Sequence, residues 1–280
     1  MATQKKQRKC LVCESDNTRQ WKIDSSFVEC LQCRSVSMSG VVKSVYDKEY
    51  YGRSKSGWLM NIVDKFAFWD RYQTLSLSKN DKVLEIGFGE GKFLKALKSM
   101  GYRVFGVEKS KYARRQIENV LGKDHLFDDI DKVKEKFELV VMYHVLEHIE
   151  KPAEYIRKIL GILSPTGRLV VRVPNVESWE AKLAGANWYH LDYPNHQTLF
   201  SEAGLLKMFE DVGFKDIKSR NYFGEYRQVM GYSILSKFGF KLTIPTMIVF
   251  QTITIPILWI FSVLVAQHGV VEVEGKSGKI

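Results

Sequence analysis

The chain has 280 residues, 45% of them hydrophobic and 26% charged, with four cysteines and a net charge of +10. That balance builds one full core with a small appendage, and it excludes a disordered chain, a fibre or a disulfide-stapled miniprotein. The basic excess points to an anionic partner, whether nucleic acid, an acidic substrate or a membrane surface, without choosing among them. The start is basic (Lys5, Lys6, Arg8, Lys9) with no apolar stretch behind it, so a cytoplasmic location is expected, where paired cysteines are more often metal ligands than disulfides.

Residues 1–40 hold Cys10-Leu-Val-Cys13 and Cys30-Leu-Gln-Cys33. Between them Trp21, Ile23, Phe27 and Val28 flank a turn at Asp24-Ser25-Ser26, which reads as a hairpin. Two CxxC knuckles on a hairpin make a zinc ribbon, with four thiolates closing a tetrahedral and therefore structural Zn²⁺ site. Residues 41–76 form a connector. Trp58 to Leu75 has helical spacing, with Leu59, Ile62, Val63, Phe66 and Trp69 along one face.

From Lys79 onward, short apolar runs alternate with amphipathic stretches. Strands are expected at Val83–Ile86, Arg103–Val107, Phe137–Tyr143, Arg168–Val173 and Phe214–Ser219, and helices at Gly91–Met100, Ser110–Leu121, Pro152–Leu163 and Ser201–Val212. Such alternation predicts a parallel sheet covered on both faces. The pattern breaks at Ile244–Ala266, 23 positions without a charge. A last strand is expected at Val270–Val273.

The first strand runs into Gly87-Phe88-Gly89-Glu90-Gly91. A glycine turn at the carboxyl edge of such a sheet lets a ligand pass against the backbone. The Gly-x-Gly-x-Gly spacing differs from that of dinucleotide binders, and Glu85 just before it favours a cationic ligand over a pyrophosphate. Glu108 closes the second strand, where a carboxylate can accept from both hydroxyls of a ribose. Asp128 or Asp129, after the third strand, could receive an adenine amino group. His144-Val145-Leu146-Glu147-His148 matches a metallopeptidase pattern, but it starts at a strand end and Pro152 opens a helix only afterwards, which argues against two imidazoles sharing one helical face.

Residues 77–219 resemble the class I S-adenosylmethionine-dependent methyltransferases. The resemblance is carried by Leu84 to Gly91, Gly106 to Ser110, Phe137 to Ile149 and Leu163 to Leu169. With the ribbon, Tyr46-Asp47-Lys48-Glu49-Tyr50-Tyr51, the Leu146-Glu147-His148 triplet and Asp192-Tyr193-Pro194-Asn195-His196, the chain looks like a bacterial subgroup associated with sugar, lipid or quinone modification. That subgroup commonly carries Pro-Arg-His and a second histidine before Phe; here Asn195 and Leu199 stand at those places.

The resemblance implies an α/β, doubly wound, Rossmann-like sheet of seven strands. It implies S-adenosylmethionine held by Glu85, Gly87, Phe88, Gly89, Gly91, Glu108 and Lys109, with Asp128, Asp129, Ile130, Tyr143 and His144 around it. The acceptor's base is expected to be His148, with Glu147, His190, His196 and Asp192 as alternatives. Ubiquinone-type relatives carry Glu-x-x-Glu-His for a divalent metal; His144 replaces the first Glu here.

The expected reaction is O-methylation of a small or lipid-linked acceptor. Residues 220–267 form a hydrophobic insertion that enters a membrane surface from one side, or else seals a homodimer, and 268–280 return to the core. RNA methylation is the rival enzymatic reading, though no Asn/Asp-Pro-Pro-aromatic motif follows the fourth strand. A non-catalytic zinc-ribbon adaptor is the reading outside enzymes.

Overall fold

The computed structural model describes residues 9–39, 65, 68–222, 233, 235–239 and 269–278. The expected insertion at Ile244–Ala266, the Tyr46–Tyr51 motif and most of the connector lie outside the described residues.

The main sheet forms from β4 (Lys82–Ile86), β5 (Arg103–Val107), β6 (Leu126–Phe127), β7 (Phe137–Tyr143), β8 (Leu163–Pro174), β10 (Lys215–Tyr222) and β11 (Val270–Lys276), in the order β10-β11-β8-β7-β4-β5-β6. Strands β4 to β8 pair in parallel, and β11 runs antiparallel to both of its neighbours. The central strands are apolar runs, with Val83, Leu84, Leu139, Val140 and Val141 fully buried. Helices α2 (Lys92–Ser99), α3 (Lys111–Leu121), α4 (Pro152–Ile162) and α6 (Glu202–Val212) cover the faces. Their starts follow local chemistry: Ser110 and Ser201 accept from the amides of Ala113 and Gly204, and Pro152 opens α4. A helical stretch at 68–74, α1, is the described part of the expected Trp58–Leu75 helix. Trp69, placed on its packing face by the spacing, is 56% exposed.

The expected final strand is present and longer, reaching Lys276. It packs Val271 and Val273 into the core and brings Glu272 beneath β8. There Glu272 takes two hydrogen bonds from Arg172, 3.0 Å from Nε and 2.8 Å from Nη2. Arg172 also reaches Asp70 of α1 at 3.1 Å.

The cysteine segment forms β1 (Thr18–Gln20), β2 (Phe27–Cys30) and β3 (Val36–Met38), with the expected turn closed by Ser26 N donating to Asp24 Oδ1 at 2.8 Å. Its sheet has a fourth strand, β9 (Thr198–Leu199), which belongs to the core sequence and pairs antiparallel with β3. Cys10, Val12, Cys30 and Cys33 share one apolar cluster with Phe200, Leu205 and Met208. The ribbon is thus built onto the core rather than tethered beside it.

Candidate active site

The strand order reverses at β4: the chain moves to β5 and β6 on one side, then to β7 and β8 on the other. Ligands of doubly wound sheets bind outside the carboxyl ends of the strands at such a point. Here those ends carry the Gly87–Gly91 turn, Glu108 and His144.

The turn is left-handed at Gly87, Gly89 and Gly91, with φ of 71°, 53° and 66°. A Cβ on Gly91 would stand 2.7 Å from Ile117 Cγ2, and one on Gly87 would collide with Val145. Only glycine fits both the conformation and the space. The Glu108 carboxylate accepts from Gly89 N at 3.1 Å and Ser110 N at 2.9 Å. It therefore ties the turn to the end of β5 and faces a crevice shared with Gly87, Lys109, His144, Val145 and His148.

On the other side of the turn lies a second recess lined by Phe68, Trp69, Arg71, Glu85 and Phe88. Glu85 is buried, and its Oε2 has no hydrogen-bond partner among the described residues. Burial pushes its carboxyl up to about 8; the charge of Arg71 opposes this, and that of Glu108 adds to it. Arg71 stacks over Tyr143, 4.4 Å from the ring centre, and burial pushes the Tyr143 phenol upward. Sequence reasoning treated 58–75 as a packing helix and missed Arg71. A lone arginine among Phe68, Trp69 and Tyr72 was the available signal.

The structure brings together Glu147, His148, His190, His196 and His144. Glu147 is 1% exposed. His144 Nδ1 stands 3.5 Å from its Oε1, and no hydrogen bond reaches either carboxylate oxygen among the described residues. Burial alone would raise this carboxyl, but His144, then His148 and His196, hold it below the usual carboxylate range. The His148 and His196 rings sit 4.6 Å apart. His148 Nδ1 lies 3.0 Å from the Asn195 carbonyl and His196 Nδ1 lies 2.7 Å from that of His190. Both rings thus donate from Nδ1 and present Nε2 as the basic nitrogen. Burial lowers His196.

One donor atom each from Glu147, His148 and His196 lies within 4.8 Å of the others. A divalent metal would fit these three, with His196 rather than His144 as the third ligand. Asp192 is the outlier: its carboxylate is 44% exposed, 4.0 Å from His196 Nε2, and it takes the Asn195 amide.

Asp128 pairs with Lys132 over a separate basic depression, Asp129 accepts from Asp131 N, and Ile130 packs into the core.

The sequence matches the methyltransferase domain family over residues 62–219, more than half of the chain. The chain belongs to that family. It is an S-adenosylmethionine-dependent methyltransferase of the class I fold. The ubiquinone biosynthesis O-methyltransferase of Coxiella burnetii is 24% identical over 200 residues, covering 64% of this methyltransferase and 84% of the relative. That of Bradyrhizobium diazoefficiens is 28% identical over 108 residues, 36% of this chain and 42% of its own. Among solved structures, an S-adenosylmethionine-dependent methyltransferase from Archaeoglobus fulgidus superposes with a TM-score of 0.51 at 16% identity, covering 79% of this chain and all of the other. One from Thermotoga maritima gives 0.50 at 19%, covering 77% and 92%. These likenesses show the fold.

Proposed function

We propose that this methyltransferase methylates an oxygen of a small, lipid-linked or isoprenoid acceptor, with His148 as the base. The observation that carries the reading is one crevice that joins the Glu108-braced glycine turn to the His148 imidazole. The cofactor, when bound, supplies an electrophilic methyl on sulfur. Glu108 would hold its ribose, and Glu85 and Arg71 would face the ammonium and carboxylate of its amino-acid end. His148 Nε2 would take the proton of the acceptor hydroxyl and so leave the oxygen nucleophilic towards the methyl group that the cofactor would supply. The relatives named for ubiquinone O-methylation support a small lipid-like acceptor.

Glu85 supplies the test of the cofactor pose. Its folded value lies above the ordinary 4.5, so without ligand it is protonated at neutral pH, and the protein loses stability as pH rises from 4.5 towards 8. A cation beside it favours the carboxylate, so binding S-adenosylmethionine at pH 7 releases about one proton, and affinity climbs by up to about tenfold per pH unit until it flattens near 8. Calorimetry in buffers of different ionisation enthalpy reads the proton directly, and Glu85→Gln abolishes its release. Flat affinity from pH 6 to 8 with no proton released would remove Glu85 from the site.

Four cysteine sulfurs within 4.8 Å of one another suit one Zn²⁺. Tetrahedral Zn–S bonds of about 2.3 Å set sulfurs roughly 3.8 Å apart, close to the 3.6 Å of both Cys10–Cys33 and Cys13–Cys30. The hydrogen bond between Cys10 and Cys33 draws the Cys33 thiol down and pushes the Cys10 thiol up, so without a metal the two sulfurs share a proton that Zn²⁺ would displace.

The membrane reading rests on the uncharged run Ile244–Ala266. Among the described residues no helix is long and apolar enough to cross a membrane. Deleting 244–266 is expected to abolish flotation with liposomes while leaving cofactor binding intact. An intact protein that ignores liposomes and forms a dimer lost on deletion would assign the run to an interface.

A further inference from the structure

We infer that the cysteine ribbon is a positioning module for the methyl-transfer site, acting through Ser35 and Met38 on the loop that carries His196. The inference rests on the crevice being that site. The connection is a short chain of contacts. Met38 N of β3 donates to the Gln197 carbonyl at 2.9 Å, and Gln197 N donates to the Glu147 carbonyl at 2.7 Å. One residue earlier stands His196, its ring 4.6 Å from His148.

The far end of the same loop is pinned as well. Ser35 Oγ receives Ser201 N at 3.1 Å, and Ser201 Oγ donates to the Cys33 carbonyl. Ser35 is itself fully buried, and it stands where a Cβ on Gly204 would have to go. Phe27 of β2 packs edge-on against Tyr193 in the same loop, ring centres 6.2 Å apart.

Strand β9 has two residues and pairs with β3. A two-residue strand does not hold its own conformation, so its register comes from the ribbon edge. The glycine turn and Glu108 are held by β4, β5 and the start of α3, through the pairing of β4 with β5 and the amides of Gly89 and Ser110. Loss of ribbon order should therefore loosen His196 and the Glu147 backbone while sparing cofactor binding. Zn²⁺ loss or thiol oxidation would act through this route.

The experiment uses the full chain and needs no acceptor. Cys30→Ser, and separately Ser35→Ala with all four cysteines kept, are compared with the parent by amide hydrogen exchange, by the imidazole ¹⁵N shifts of His196 and His148, and by S-adenosylhomocysteine calorimetry. Expected for Cys30→Ser is at least tenfold faster exchange over 196–199, displaced His196 signals and affinity within threefold of the parent. Ser35→Ala should give a smaller change in the same residues, and Zn²⁺ returned to chelator-treated parent should restore protection there. Unchanged exchange and shifts at 196–199 in both variants would make the ribbon an independent appendage and overturn the inference. So would loss of affinity together with protection across β4 and β5, since the ribbon would then support the whole fold. Failure of the methyl-transfer reading itself would show separately, as a parent protein that does not bind S-adenosylhomocysteine.

Discussion

Replacing His148 with alanine is expected to lower turnover by about 10²–10⁴, the contribution of a placed general base, while S-adenosylhomocysteine affinity stays within about twofold. The imidazole lines the same crevice as Gly87, Gly89 and Glu108. Its Nδ1 is committed to the Asn195 carbonyl, which fixes the tautomer and aims Nε2 as the acceptor. Its rivals are less well placed. His196 is buried, Asp192 is turned outward, and Glu147 is made a weak base by the imidazoles around it, which hold its carboxyl below the usual range. Turnover is read as S-adenosylhomocysteine formed in the presence of a membrane lipid extract. Turnover at parental level in His148→Ala would reassign the residue to structure. Loss restored by added Mg²⁺ or Mn²⁺ would instead favour the metal reading of Glu147, His148 and His196.

The second large effect is on stability. Arg172→Met should destabilise the fold by about 3–5 kcal/mol, because it strands a buried carboxylate. Arg172 is fully buried and Glu272 is 2% exposed. The two charges share bonds of 2.8 and 3.0 Å across β8 and β11. Arg220 pairs with Glu272 at 3.7 Å, but it is 43% exposed and screened by solvent, so it offsets only part of the lost partner. In a domain of this size each kcal/mol moves the melting temperature by roughly 2–4 °C, so a drop on the order of 10 °C is expected in calorimetric melts. Adding Glu272→Leu to Arg172→Met should recover most of the loss, since an apolar pair of similar volume avoids desolvating either charge. A single variant melting within 2 °C of the parent would show that Glu272 finds water or another cation.

Elements whose cause is local were legible in the sequence. The run Val83–Ile86 into Gly87–Gly91 announced a strand, a left-handed turn and a helix, and Glu108 announced the end of the next strand. Val270–Val273, alternating around Glu272, announced a strand returning to the sheet beside the one near Phe214. Features made by distant pairing were not legible. Thr198-Leu199 carries no signal of its own, because its partner Val36-Ser37 lies more than 160 residues earlier. The partner of Arg172 was not legible either, since nothing near it in sequence says that Glu272 will pair beside it. Asp128 and Asp129 stand at the expected loop, but Lys132 and the amide of Asp131 compete for their carboxylates. In the histidine cluster, the sequence supplied the members and the fold supplied their order. His148 and His196 meet because the loop after the short helix α5 (Trp179–Ala184) returns to the segment following β7, where Gln197 N donates to the Glu147 carbonyl.

The place of β11 also governs how the protein can be made. Strand β8 and strand β10 both wait for it: among the described residues β10 joins the sheet through β11, and β8 has one edge unpaired until β11 arrives. Nearly a hundred residues separate β8 from its partner. During synthesis the ribosome therefore holds a sheet with an open, apolar margin for most of the time the second half of the chain takes to emerge, the condition in which edge strands recruit one another. A message cut short before residue 270 would yield a polypeptide with its glycine turn intact and its sheet unsealed, a species prone to aggregate rather than a smaller working enzyme.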